Sequence, residues 1–137
     1  MTVKKANQFA VQWIEAYNSH NPEIILDMYD EQVTNIQFPW GKSVQGREAM
    51  RTTYINVFNA FPDIHIEAEN IVEETPWVVI EWRFSGTMKG SFAGHSPNNN
   101  SFDMRGCEIF QIENGKIVIQ HGYWDKATMF DQLKLNT

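Results

Sequence analysis

The sequence predicts one α+β domain in which helices pack on one face of a curved sheet. In the first part of the chain, apolar residues recur at helical spacing, whereas from Ile64 onward they occupy every second position. No segment repeats, and no linker divides the 137 residues. Because helices followed by a run of antiparallel strands are typical of the α+β class, we expect a single domain over residues 1–137.

Two helices are predicted at the start of the chain. The first covers about residues 4–19, with Trp13 and Tyr17 on its apolar stripe. Asn21, which precedes a proline, is typical of a helix N-cap. It predicts a short second helix that continues to Tyr29.

A strand and a third helix follow. The strand covers residues 33–39 and ends at a Pro-Trp-Gly turn. The helix begins after Gly46 and is closed by Pro62, because the residue before a proline disfavours helical geometry. Its apolar stripe consists of Met50, Tyr54, Val57, Phe58 and Phe61.

Four strands and a last helix complete the chain. Alternating apolar and polar residues predict strands over residues 64–73, 78–88, 102–112 and 116–124. Asp125 is then expected to cap a final helix that extends to Leu133.

Composition excludes several classes of function. The net charge is −6 without a basic cluster, which argues against a nucleic-acid partner. No apolar run approaches the ~20 residues of a membrane span and no signal peptide is visible, so we expect a cytoplasmic protein without membrane contact. Cys107 is the only cysteine and no two histidines have metal-ligand spacing, so no disulfide and no metal site are expected.

Glu108 is the most informative residue. Period-two alternation places Trp82 on the inward face of its strand, and places Phe110 and Glu108 together on the inward face of the next strand. A carboxylate on an apolar face is costly unless it is paired, hydrogen-bonded or protonated. Burial would raise the pKa of Glu108 and suit it to general acid catalysis. The alternatives are a bulge that turns Glu108 outward, or neutralisation by a cation such as Arg105.

The turn at Glu113-Asn114-Gly115 decides which residues of the last strand face Glu108. A three-residue loop would place Gln120, Gly122 and Trp124 on that face, and this is our prediction. A two-residue Asn-Gly turn would instead place His121 and Tyr123 there.

Two further titratable residues are candidates for catalysis. His121 is either a base or a packed or interface histidine, and Asp125 is either an acid or only a helix cap. No phosphate loop, nucleophile elbow or dinucleotide fingerprint is present, so we expect chemistry without a cofactor.

Three segments resemble the SnoaL-like polyketide cyclases of the nuclear transport factor 2-like superfamily. These are residues 78–90 (VVIEWRFSGTMKG), Phe61-Pro62-Asp63, and residues 115–133 (GKIVIQHGYWDKATMFDQL). The resemblance covers nearly the whole chain and implies a cone, in which a curved mixed or antiparallel sheet wraps around the N-terminal helices. It implies little about activity, because this fold carries many functions.

The resemblance also identifies departures from its relatives. Polyketide cyclases carry a pocket acid on the last strand, often with a second acid three residues later, where this chain has Gly122 and Asp125. The related ketosteroid isomerases carry a strand carboxyl that Glu108 matches and a helix tyrosine that Tyr54 matches. Their proton-moving aspartate is replaced here by Phe38, and their first-helix phenol by Trp13, which argues against a 3-oxosteroid isomerase.

The sequence therefore supports two hypotheses. The first is a cofactor-free cyclase, isomerase or lyase that acts on a small apolar, polyketide-like carbonyl compound, with Glu108, Asp125 and His121 as candidate catalytic residues. The second is a binding or accessory module that uses the same pocket without chemistry. Residues expected to contact the ligand are Trp13, Tyr17, Phe38, Tyr54, Trp82, Phe110, Gln120 and Trp124.

A homodimer is expected to form through the outer face of the sheet, and the alternative is a monomer in which the last helix or a loop covers that face. Residues on that face mix apolar and polar types, as two-fold interfaces do. They include Val79, Glu81, Arg83, Cys107, Ile109, His121 and Tyr123.

Overall fold

The computed structural model describes residues 8–135, which form four helices and six strands. The helices are α1 (Gln8–Asn18), α2 (Pro22–Leu26), α3 (Arg47–Ala60) and α4 (Lys126–Leu133). The strands are β1 (Tyr29–Gln37), β2 (Lys42–Gln45), β3 (His65–Glu74), β4 (Trp77–Thr87), β5 (Ser101–Glu113) and β6 (Lys116–Tyr123). The predicted start of the first helix at residue 4 lies outside the described residues.

The six strands form one curved, unclosed sheet in the order β2-β1-β6-β5-β4-β3. All neighbours are antiparallel except β1 and β6, which pair in parallel. The helices cover the inward face, and the core lies between them and the sheet. The predicted α+β class with a mixed sheet curved around N-terminal helices is confirmed.

The predicted strand faces in the centre of the sheet are also confirmed. On β4, Ile80 and Trp82 are buried, whereas Arg83 points outward and pairs with Asp103 at 2.7 Å. On β5, Glu108 is buried among apolar neighbours.

Two elements near the start of the chain differ from the prediction. The second helix ends at Leu26 and does not continue to Tyr29, which instead begins β1. Tyr29 lies opposite Ile117 of β6, so pairing with a distant strand overrides local helical spacing. The short edge strand β2 was not predicted, because only Val44 among its four residues is partly buried and it shows no apolar alternation.

The hairpin between β5 and β6 reaches the predicted face by a different route. The turn is the two-residue Asn114-Gly115 loop, with both residues at positive φ (52° and 76°), so the predicted three-residue loop is wrong. However, Gln111 pairs with Ile119 and Ile112 pairs with Ile117, which leaves one extra residue in β6. This bulge shifts the register by one residue and returns the following residues of β6 to the predicted faces.

The predicted helix caps are confirmed. The Asn21 side chain accepts a hydrogen bond from the backbone N–H of Glu23 at 3.0 Å, and Asp125 accepts one from that of Thr128 at 3.1 Å. Gly46 precedes α3 at a φ of 90°, a conformation that favours glycine. No helix within residues 8–135 is long and apolar enough to cross a membrane.

Candidate active site

A cavity of about 320 Å³ lies between the inward face of the sheet and helices α1 and α3. Its wall is mostly aromatic and aliphatic, as in many small-molecule sites. The aromatic residues at the wall include Trp13, Tyr17, Tyr54, Trp82, Phe84, Phe102 and Trp124. The uncharged polar residues Asn35, Gln37 and Gln120 cluster beside one carboxyl group, that of Glu108.

Glu108 projects into this cavity from the middle of β5. It lies opposite Ile80 of β4 and opposite Gly122 of β6, and its residue is 4 % exposed. Arg105, the cation considered as a neutralising partner, points to the other face and pairs with Glu69 at 2.5 Å. The Glu108 carboxyl therefore has no ion-pair partner among the described residues.

Two amide groups fix the Glu108 carboxyl through the same oxygen. Gln120 Nε2 donates to Oε2 at 2.7 Å, and Gln37 Nε2 donates to it at 3.4 Å. No described residue hydrogen-bonds Oε1. Burial raises the pKa of Glu108 from its ordinary value of 4.5 to about 8, and these two hydrogen bonds limit the rise. At neutral pH the group is therefore mostly protonated.

A chain of buried hydrogen bonds holds Gln120 in place. The Tyr29 hydroxyl donates to Gln120 Oε1 at 2.6 Å, and it accepts from Trp13 Nε1 at 3.1 Å. Since Tyr29 has only one proton to give, Tyr54 donates to Tyr29 across their 2.7 Å contact. Burial raises the pKa of both phenols, so they remain donors at neutral pH. The amide group of Gln120 is thereby oriented with its N–H₂ toward Glu108.

Gln37 is fixed from three sides. Its Oε1 accepts a hydrogen bond from Trp124 Nε1 at 2.9 Å, and its Nε2 also donates to Asn35 Oδ1 at 3.0 Å. A Cβ atom at Gly122 would overlap the Gln37 side chain. Glycine at position 122 is therefore the condition for Gln37 to reach Glu108.

Seven of the residues proposed from the sequence border the cavity. They are Glu108, Trp13, Tyr17, Tyr54, Trp82, Gln120 and Trp124. Phe110, expected to contact the ligand, is instead fully buried behind the wall, where its ring lies 5.0 Å from that of Trp13.

The other three proposed residues lie outside the cavity. Phe38 is 44 % exposed and stacks on Tyr123 at 4.8 Å, because it follows the last residue of β1 and turns to the outer face. His121 packs edge-on against Phe38 at 5.3 Å, since it alternates with the inward residues of β6. Asp125 caps α4 at the surface, where hydrogen bonds from Thr128 hold its pKa below the ordinary value. The structure does not bring His121 or Asp125 to Glu108.

Sequence reasoning missed polar residues of the cavity wall, among them Asn35, Gln37, Lys42 and Thr53, and aromatic ones, among them Trp40 and Phe92. Asn35 and Gln37 occupy alternate positions of a strand that was predicted, so the inward face of that strand was the available signal. Trp40 and Phe92 lie in loops, with their ring centroids 5.8 Å apart, and no local sequence pattern predicts where these loops pack. Tyr29, whose buried hydroxyl orients Gln120, was assigned to a helix and was therefore not expected near the cavity. Among residues 8–135, no three His, Cys, Asp or Glu side chains are grouped to hold a metal ion.

Comparison with known proteins places the chain among cyclase-like folds. The SnoaL-like polyketide cyclase family matches residues 7–133. A protein from Jannaschia sp. CCS1 assigned to the SnoaL-like polyketide cyclases is 16 % identical, with a TM-score of 0.85 over 98 % of this chain and 94 % of that one. IdmH from Streptomyces antibioticus, proposed to be a polyketide cyclase, is 21 % identical, with a TM-score of 0.77 over 95 % and 99 %.

A third similar structure contains a bound small molecule. It is a protein of ketosteroid isomerase-like fold from Catenulispora acidiphila, solved in complex with trimethylamine. The identity is 16 % and the TM-score 0.81, over 93 % of each chain. At these identities the structures show a common fold. No curated protein matches the chain.

Proposed function

The chain belongs to the SnoaL-like polyketide cyclase family, and we propose that it is a cofactor-independent cyclase, isomerase or lyase. Its substrate is a small, largely apolar carbonyl compound, and Glu108 is its general acid and base. The observation that supports this proposal is the Glu108 carboxyl itself. It is the one acidic side chain among the described residues at the cavity wall, and its Oε1 has no partner within the protein.

The pKa of Glu108 suits one residue to both proton transfers. Near neutral pH a group with a pKa of about 8 is present in both forms. The carboxylate removes a proton from the carbon next to the substrate carbonyl, which gives an enolate and protonated Glu108. In a cyclisation the enolate carbon attacks a second carbonyl carbon of the same molecule. Glu108 then returns its proton to the resulting alkoxide oxygen, and the carboxylate is regenerated.

Glu108 takes the place of the acid that Gly122 lacks. The two residues are directly opposite on β5 and β6, and the Cβ atoms of such pairs lie about 5 Å apart. A carboxyl at either position reaches the same part of the cavity. In this chain the acid is Glu108 on β5, and the neighbouring position on β6 is Gly122. The side chain of Gln37 fills the space in front of Gly122.

Proton exchange provides a test that does not require the natural substrate. We expect the protein to accelerate deuterium exchange at C2 of 1-tetralone in D₂O above the buffer rate, measured by proton NMR. The rate should rise with pH up to about 8, since the carboxylate is the reactive form. Glu108→Gln should lower the exchange rate by roughly 10²–10⁴-fold. Glu113→Gln, at the exposed end of β5, is the matched control and should retain exchange. If the Glu108→Gln variant exchanged deuterium at the wild-type rate, the assignment of Glu108 would be disproved.

A binding module without chemistry is the second candidate function. It is favoured by Gly122 and Phe38, which stand where relatives carry acids. Saturable binding of 1-tetralone by the wild-type protein, with exchange at the buffer rate, would support this candidate over catalysis.

We also propose that two copies associate through the outer face of the sheet. On that face Phe38 and Tyr123 stack at 4.8 Å, yet both remain more than 40 % exposed. Ile109 lies on the same face, paired with His121. Exposed aromatic and aliphatic side chains next to each other are typical of protein interfaces.

A further inference from the structure

Trp82 carries a buried N–H group that the protein does not use. Its indole Nε1 has no hydrogen-bond partner within residues 8–135, and its side chain is at the cavity wall with 3 % of the residue exposed. The indole N–H groups of Trp13 and Trp124, in the same wall, are bonded to Tyr29 and Gln37. Buried donors in proteins almost always have a partner, and an exception calls for a specific explanation.

The indole of Trp82 is held firmly in this position. Its six-membered ring lies over Gly106 of β5, where a Cβ atom would overlap the ring carbons. Phe84 packs edge-on against it, with ring centroids 4.4 Å apart. Glycine inside a strand often marks the close approach of another group. The strand thus accommodates the indole and holds it beside the cavity.

Trp82 and Glu108 are neighbours on the inward face of the sheet. Trp82 pairs with Gly106, and Glu108, two residues further along β5, pairs with Ile80. Such diagonal positions are roughly 7–8 Å apart between Cα atoms, within reach of long and aromatic side chains. A ligand in contact with Glu108 therefore lies beside the Trp82 indole.

We propose that the Trp82 N–H donates a hydrogen bond to a carbonyl oxygen of the ligand and selects carbonyl compounds over hydrocarbons of the same shape. This inference rests on the proposed function, since it assigns a second polar contact in the same cavity. A site that contains a donor for a ligand oxygen discriminates against analogues that lack the oxygen, because the buried donor is then left unpaired.

A matched pair of ligands tests the proposal. We expect 2-acetylnaphthalene to bind the wild-type protein about tenfold more tightly than 2-ethylnaphthalene by calorimetry, the effect of one hydrogen bond. Trp82→Phe keeps an aromatic ring and removes the N–H, so it should abolish the preference, measured as the ratio of the two affinities. Trp77→Phe removes a half-exposed indole at the start of β4, outside the cavity, and should keep the preference.

A measurement on the wild-type protein makes the test independent of how well the variant folds. In ¹⁵N,¹³C-labelled protein, the Trp82 Nε1–H resonance should move downfield with 2-acetylnaphthalene and much less with 2-ethylnaphthalene. The role of Trp82 would be overturned if its Nε1–H resonance moved equally with both ligands, or if a folded Trp82→Phe variant kept the preference. Either result would leave the proposed function standing. Failure of the wild-type protein to bind either ligand would overturn the proposed apolar ligand site and this inference together.

Discussion

Glu108 makes the stability of this protein depend on pH in a predictable direction. Its pKa is about 8 in the folded chain and 4.5 when solvated, as in the unfolded chain. Between these values the folded state holds a proton that the unfolded state has lost, so the free energy of unfolding should fall as pH rises from about 4.5 to about 8. Urea unfolding at half-unit pH steps measures this slope.

The Glu108→Gln variant isolates that contribution. Glutamine does not titrate, so the variant should lose the part of the slope due to position 108 and gain stability relative to the wild type toward pH 8. Other carboxyls with lowered pKa, such as Asp63 and Asp103, act mainly at acid pH and are common to both proteins. Parallel stability profiles for the two proteins would mean that Glu108 is ionised and solvated.

At the same scale, the sequence could identify Glu108 but not its partners. The alternation of β5 was enough to place a carboxyl on an apolar face. Gln37 reaches Glu108 only because β1 pairs in parallel with β6 and because position 122 has no side chain. Neither the pairing of β1 with β6 nor the contact between Gln37 and position 122 can be read from the local sequence around Glu108.

Among the elements, the hairpin of β5 and β6 shows how a correct face can follow from an incorrect turn. The Asn-Gly pair forms the two-residue loop that its residues favour. The bulge in β6 then shifts the register by one residue, so that Gln120 and Gly122 share the face of Glu108 as a three-residue loop would have placed them. The long strands β4 and β5 were predictable because their alternation extends over ten or more residues. β2 has four residues and was not.

Asp125 separates a capping role from a catalytic one at the level of helix α4. Its carboxylate accepts from the Thr128 backbone N–H at 3.1 Å, and its side chain lies outside the cavity. Asp125→Ala should lower the free energy of unfolding by about 0.5–2 kcal/mol, the usual cost of losing an N-cap. Exchange at 1-tetralone should stay at the wild-type rate once the variant is folded. A large loss of exchange with unchanged stability would make Asp125 a catalytic acid instead.

At the scale of the whole molecule, the two faces of the sheet differ in what covers them. The inward face contacts the helices and lines the cavity, whereas on the outer face Arg83, Asp103 and Arg105 border Thr128 and Gln132 of α4. Charged residues on the outer face pair with each other, as Arg83 does with Asp103 and Arg105 with Glu69. Phe38, Tyr123, Ile109 and Val79 are apolar residues of the outer face, and we propose them as the contact between two copies.

The oligomeric state can be tested separately from the site, because Ile109 and Glu108 are consecutive residues of β5 on opposite faces. The chain has a mass of 15.9 kDa, and light scattering at micromolar concentration should give twice that value. Ile109→Glu places two carboxylates near the two-fold axis, where like charges and lost apolar contact should reduce the mass to that of one chain.

Val11→Glu, which adds the same charge at an exposed position of α1, should leave the dimer intact. Monomeric Ile109→Glu should still exchange 1-tetralone, since its cavity is unchanged. A wild-type mass of 15.9 kDa would exclude the dimer.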